Sequence, residues 1–244
     1  MSFSAELRPA RGAISRTTAK RRFVNVGAGH ENLDQKAYQI LKALIIDRQL
    51  LPGDKIPQEK LAEDLGISRT PLINALKLLE QDKLVQSIPR RGFFVRHFNK
   101  LEMISIFELR EVLEGLAARR AAESITAKQI EQLKGFFKQF KGAKKITDIR
   151  TYAREDRLFH TFLLEAGAKE FLKSILETYN VIIYSYQSIS SEGLIQSPDD
   201  TLHDHLAVID AVCRRDPEAA EKAMRRHLKK SVAILKKELE AQGK

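Results

Sequence analysis

Residues 51–95 read LPGDKIPQEKLAEDLGISRTPLINALKLLEQDKLVQSIPRRGFFV, and the order of the breaks in this stretch decides the fold. Leu51-Pro52-Gly53-Asp54 stops a helix in which Tyr38, Ile40, Leu41, Leu44 and Ile45 recur at helical spacing. A second, short helix follows Pro57 and buries Leu61, Ala62 and Leu65, and Gly66 suits the positive φ of its C-terminal cap. A third helix starts at once. Ser68 is a good N-cap, Pro71 falls in the first turn where its missing N–H costs nothing, and Leu72, Leu76, Leu79 and Leu84 continue the apolar side. Residues 84–88 and 93–98 are strand-like and flank Pro89-Arg90-Arg91-Gly92, which predicts a hairpin with a basic tip. Helix, short helix, tight turn, helix and basic hairpin is the order of a winged helix-turn-helix.

Composition sets the frame around this stretch. The chain has 244 residues, 42 Lys+Arg against 32 Asp+Glu, and 43% hydrophobic residues, enough apolar material for two modest cored domains. One cysteine, Cys213, excludes an intrachain disulfide and a paired-cysteine metal site, and points to a reducing, cytoplasmic address. The opening MSFSAELRPARGAISR lacks the apolar core of a secretory signal, and no later stretch has the length and hydropathy of a membrane span. The net charge of +10 is uneven: residues 1–30 carry six basic and one acidic side chain (+5), residues 31–100 twelve and nine (+3), and residues 101–244 24 and 22 (+2). That concentration permits a polyanionic partner at the N-terminal end without proving one.

Residues 1–30 mix Gly, Ala, Ser, Arg and Lys without a sustained apolar period and read as a flexible basic tail. From residue 101 to 244 the pattern is helical, in segments near 102–123, 126–143, 147–166, 169–188, 199–214 and 216–240. Thr126, Thr147, Asp199 and Asp216 or Pro217 are the expected starts, and Gly142, Gly167 and SISSEGLIQSP the expected stops. The fold class is therefore mainly α: a winged helix-turn-helix over 31–100, then an all-α six-helix bundle over 101–244.

Four polar residues stand on apolar faces of the helical half, where an unpaired ionisable group is expensive to bury. Asp156 and His160 lie one turn apart beside Tyr152, Phe159 and Leu163. His205 lies between Leu202 and Ile209, and His227 among Met224, Leu228 and Ser231. Converging, they suit Zn²⁺, Ni²⁺ or Mn²⁺ with positions left for water or an anion; satisfied core histidines are the alternative. His203 points to another face and reads as a surface residue. Arg110, between Ile106 and Leu113, needs a fork-shaped acceptor, either an internal partner such as Glu114 or the carboxylate of a small organic acid. Tyr152, Tyr179, Asn180, Tyr184 and Tyr186 are candidate pocket residues.

The 33–98 segment resembles the N-terminal domain of the GntR family of bacterial transcription regulators almost position for position. In such a domain the third helix enters the major groove while the wing holds phosphates. Arg69, Thr70 and Lys77 lie on or near the entering helix, and Arg90, Arg91 and Gly92 form the wing tip. The resemblance implies DNA contacts from Arg69, Thr70, Arg91 and Gly92. Two departures matter: Ile73-Asn74 stands where the family usually has Arg-Glu, and Glu59-Lys60 where many relatives have Arg-Glu. A changed operator and compensating charge from the tail are the expected consequences.

FELREVLEGLAARRAA, DRLFH and DHLAVIDAVCRRDPEAAEKAMRRHL resemble the FCD ligand-binding domain of the FadR-like branch, with a helix number that suits its VanR-like subgroup. That resemblance implies a divalent metal held by Asp156, His160, His205 and His227, and favours capture of a small carboxylate by Arg110. Ala168-Lys169 departs from the usual AGNP-like segment, which loosens the identity of the acid. The whole reads as a regulator rather than an enzyme. It would be a repressor that binds a near-palindromic double-stranded operator as a homodimer and is released by a small organic acid. A direct metal sensor uses the same ligands; a metal-dependent hydrolase would need a motif such as HExxH or GxSxG, which the chain lacks.

Overall fold

A computed structural model describes residues 32–170, 172, 173, 175, 176 and 194–242. The tail and most of the segment expected over 169–188 lie outside them, as do Tyr179, Asn180, Tyr184 and Tyr186.

The N-terminal unit contains α1 (Leu33–Ile46), α2 (Gln58–Leu65), α3 (Arg69–Gln81) and an antiparallel hairpin of β1 (Val85–Ile88) and β2 (Gly92–Val95). Asn32 caps α1 through its side chain, and α2 ends at Gly66 in the left-handed conformation. Leu41 and Ile45 of α1, Leu65 of α2 and Leu72, Leu76 and Leu79 of α3 are fully buried and form one core. Pairing of Val85 with Val95 and Ile88 with Gly92 fixes the hairpin register and leaves Arg90 and Arg91 at its tip. The second strand stops at Val95, short of the expected 98. Phe98 instead leaves the ladder and is buried in the linker to the next helix.

The helical unit comprises α4 (Lys100–Ser124), α5 (Ala127–Gly135), a 3₁₀ turn (Lys138–Phe140), α6 (Ile149–Gly167), α7 (Pro198–Cys213) and α8 (Pro217–Gln242). The order is mainly helical after a winged helix-turn-helix, as the sequence predicts. Capping boxes from Asn99 with Glu102 and from Thr126 with Gln129 start α4 and α5. Asp148, not Thr147, caps α6, and Ser197 with Pro198 opens α7. At the end of α6, a Cβ on Gly167 would meet the Ala117 carbonyl oxygen at 1.9 Å, so only glycine lets α6 approach α4 this closely.

The single helix expected over 126–143 is broken. Phe136 turns extended, and Phe137 sits at φ 60° with its N–H donated to the carboxylate of Glu155 on α6. Gln139 donates to the other oxygen of Glu155 at 2.6 Å. A tertiary acceptor for a backbone amide thus wins over helix continuation, and it drives the Phe137 ring into the core with no exposed area.

The first turn of α4 joins the two units: Arg96 pairs with Glu102, and Lys100 with Glu238 on α8 at 2.9 Å. The helix that leaves the wing is the same helix that carries Arg110 and Glu114.

Candidate metal centre and nucleic-acid interface

Three helices bring the four sequence-predicted ligands together. α6 supplies Asp156 and His160, α7 His205 and α8 His227; the imidazoles are buried and Asp156 is half-buried. One ligand nitrogen from each histidine lies within 4.8 Å of the others, so the three could hold a metal ion. His205 Nε2 lies 3.3 Å from His227 Nε2 and 3.3 Å from Asp156 Oδ1, which is 4.0 Å from His160 Nε2. Bond lengths of about 2.0–2.1 Å to zinc imply tetrahedral ligand edges of roughly 3.3 Å, which the closest pairs match. His203, by contrast, is exposed on α7.

The outer nitrogens explain why the inner ones point as they do. His160 Nδ1 is 2.6 Å from Glu114 Oε2, and Glu114 Oε1 accepts from Arg110 Nε at 2.6 Å. Burial would raise the Glu114 pKa, but the charges of Arg110 and His160 and their hydrogen bonds outweigh it and hold the group at about 2. A carboxylate can only accept, so His160 Nδ1 carries a proton, and Nε2 is the nitrogen turned toward the centre. His205 is set by a longer chain. Thr201 Oγ1 lies 2.7 Å from Tyr152 Oη and within 3.3 Å of the backbone carbonyl oxygens of Ser197 and Pro198. Tyr152 Oη in turn meets His205 Nδ1 at 3.1 Å, which turns Nε2 toward the centre.

Burial, followed by the neighbouring imidazoles and Arg110, holds His205 and His227 well below the ordinary histidine range. Burial pushes Asp156 up, against the pull of His160 and Arg110. A divalent cation would relieve all three shifts, because it satisfies neutral imidazoles and a carboxylate together. The donor set therefore fits such an ion.

Sequence reasoning missed two neighbours of the centre. The Phe137 ring stacks on His205 with centroids 4.8 Å apart and planes at 13°, which follows from the α5 break. Asp204, buried on α7, lies 3.9 Å from His227 Nδ1 and accepts from Lys230 at 2.7 Å; among the described residues His227 Nδ1 has no hydrogen-bond partner. A charged residue beside His205 in sequence was the available signal, but helical phase alone does not say that it turns inward.

Arg110, Asp156, His160 and His227 border one cavity of about 40 Å³, room for a few waters at most. The internal partner weighed for Arg110 is real: Glu114 takes its Nε, and its guanidinium lies 5.0 Å from the Phe107 ring. Tyr152, a candidate pocket residue, is wholly buried against His205 instead.

At the other end, Arg69, Arg90, Arg91 and Gly92 line one groove between α2, the start of α3 and the wing, with Lys55 and Lys60 on its walls. Arg90 and Gly92 take positive φ, 63° and 97°, which shapes the tight tip, and Arg91 leans over the Phe94 ring at 5.4 Å. Thr70 and Lys77 are exposed on α3, outside the residues lining that groove. Asn74 does not face outward freely: it donates to Asp34 on α1 at 3.0 Å.

Both units of the chain are similar to known proteins. The model of the bacterial regulatory proteins, gntR family, matches residues 33–95, and the FCD domain model matches residues 105–230. The HTH-type transcriptional regulator YdhC of Bacillus subtilis is 27% identical over 83% of this chain and 91% of its own length. The HTH-type transcriptional repressor RspR of Escherichia coli is 26% identical over 80% and 86%. Among solved structures, E. coli McbR/YncC superposes with a TM-score of 0.70 at 21% identity, covering 86% of this chain and 99% of that one, a likeness of fold. Among the described residues no helix is long and apolar enough to cross a membrane. The chain belongs to the GntR family of bacterial regulatory proteins, as a DNA-binding transcriptional regulator with a winged helix-turn-helix followed by an FCD domain.

Proposed function

We propose that the protein is a cytoplasmic, ligand-responsive repressor of the VanR-like subgroup that binds a near-palindromic operator as a homodimer. Residues 31–100 would bind DNA, residues 101–244 would bind effector and dimerise, and a basic tail over 1–30 would add charge. Two copies related by a two-fold axis match two half-sites, to which Arg69, Thr70 and Lys77 bring base and backbone contacts and Arg90, Arg91 and Gly92 the wing.

Asp156, His160, His205 and His227 would hold a divalent cation such as Zn²⁺, Ni²⁺ or Mn²⁺. The observation that carries this is the convergence of one ligand nitrogen from each of three buried histidines within 4.8 Å, with Asp156 Oδ1 3.3 Å from His205 Nε2. When bound, the ion would supply an electrophilic anchor for a small carboxylate. Arg110 borders the same cavity and would meet the anion with the guanidinium edge not spent on Glu114. A space of about 40 Å³ is too small for an organic acid, so binding requires the residues that line it to move apart. An acid that binds the parted arrangement better shifts the population toward it. Because α4 carries Arg110 and Glu114 and begins directly after the wing, the shift would move the DNA-binding units relative to each other.

The families matched are regulators, which supports a binding role over hydrolysis. Elemental analysis of purified wild type and of H160A/H205A tests the metal. Near-stoichiometric metal in the first and none in the second is expected; a wild type that takes up no divalent ion rejects the site.

A further inference from the structure

Three carboxylates, Glu59, Glu63 and Asp64, lie among the basic residues that line the groove of the DNA-binding unit, and Glu59 is the one paired with Arg69. Glu59, on the first turn of α2, is 82% exposed, and its Oε1 lies 3.5 Å from Nη1 of Arg69, itself 63% exposed at the start of α3. Both line the groove with Lys55, Lys60, Arg90 and Arg91. A solvent-exposed ion pair of this length contributes little to folding, and the place of Glu59 in the first turn of α2 adds only a modest helix-dipole contribution. Facing phosphates, its carboxylate would be repelled and would weaken binding to any duplex. A carboxylate in a major-groove reader has one favourable use: it accepts from the N4 amino group of cytosine, while an adjacent arginine takes O6 and N7 of guanine.

Resting on the DNA-binding role of this domain, we propose that Glu59 is a specificity-determining residue that reads a cytosine beside the base read by Arg69. The ion pair between them sets the two side chains at the spacing of neighbouring base edges, and it is weak enough to be exchanged for base contacts on docking. Gln58 is held nearby, its Nε2 3.0 Å from where a Cβ on Gly92 would sit, so the wing tip closes against the same turn of α2. The repulsive cost of Glu59 toward the backbone then falls on all sequences, and only sites offering the cytosine recover it.

Selection from a random double-stranded library with wild type, E59A and E59Q tests this directly. Wild type is expected to enrich a half-site with cytosine at one position. E59A should become degenerate there by roughly ten-fold or more and bind random-sequence DNA more tightly. E59Q should shift that position toward adenine, because a carboxamide pairs bidentately with adenine N6 and N7. Unchanged melting temperatures exclude misfolding for an exposed side chain. Base preferences identical in all three proteins overturn the proposal while leaving DNA binding intact; a wild type that enriches no site overturns the DNA-binding role as well.

Discussion

His205 Nε2 and His227 Nε2 stand 3.3 Å apart in a buried centre, and the other nitrogen of the His205 ring meets Tyr152 Oη at 3.1 Å. Two imidazole nitrogens at that distance either share an N–H···N hydrogen bond or hold a cation between them. The consequences of this one contact run through stability, pH response and metal affinity.

The pH response of the metal-free protein has a definite sign. His205 and His227 are held well below 6.5 in the folded state, so the unfolded chain binds protons that the folded chain refuses. The stability this represents is complete above about pH 6.5 and is lost as pH falls toward the depressed values, by about 1.4 kcal/mol per pH unit for each excluded proton. Glu114, held at about 2, adds a further loss as pH falls below its ordinary 4.5. Asp156, pushed up, acts oppositely and blunts the acid limb. Thermal unfolding of chelator-treated protein from pH 8 to 5 should therefore show a steep fall below 6.5. A flat profile would mean that the histidines are protonated in the fold.

Glu114 carries two buried charges' worth of contacts, so Glu114→Gln should be costly. Its partner Arg110 is 4% exposed, and a guanidinium stripped of its carboxylate in such a place typically costs about 3–5 kcal/mol. Urea unfolding of the single variant should show that loss. Replacing Arg110 and Glu114 together with apolar residues should recover most of it, because no lone charge is left behind.

Tyr152 acts on the centre only through His205. Tyr152→Phe keeps the ring that packs against Phe137 and Phe140 but removes the hydroxyl that is hydrogen-bonded to His205 Nδ1. Metal affinity, measured by competition with a chromophoric chelator, should fall by about 10–100-fold with the helical content unchanged. Equal affinity in the two proteins would show that the hydroxyl does not orient the ligand.

Gly167 is where α6 touches the backbone of α4. Gly167→Ala would place a methyl group 1.9 Å from the Ala117 carbonyl oxygen and 2.7 Å from the Ala121 nitrogen, both backbone atoms that cannot swing away. A loss of about 3 kcal/mol is expected, the upper end of the usual range for overpacking. Denaturant midpoints at constant m-value measure it.

What could be read from the sequence was whatever local chemistry decides. The spacing of Leu61, Leu65, Leu72 and Leu76, the cap at Gly66 and the basic Arg90-Arg91 tip place the winged unit, because each acts within a turn or two of itself. Asp156 and His160 meet because helical phase puts i and i+4 together, and Glu114 follows Arg110 by the same rule. The break at Phe136 and Phe137 was hidden because its cause is Glu155, a residue of another helix. The Tyr152–Thr201 chain and the inward turn of Asp204 were hidden likewise, since both depend on how α6, α7 and α8 pack.

The account stands most directly on whether an acid acts on DNA through this centre. Operator binding by metal-replete wild type and by H160A/H205A, measured while a panel of small carboxylates is titrated, tests that link. The account predicts that a cognate acid lowers the affinity of the wild type, with no response in the variant, which still binds operator. Equal release of both proteins by the same acid would contradict it.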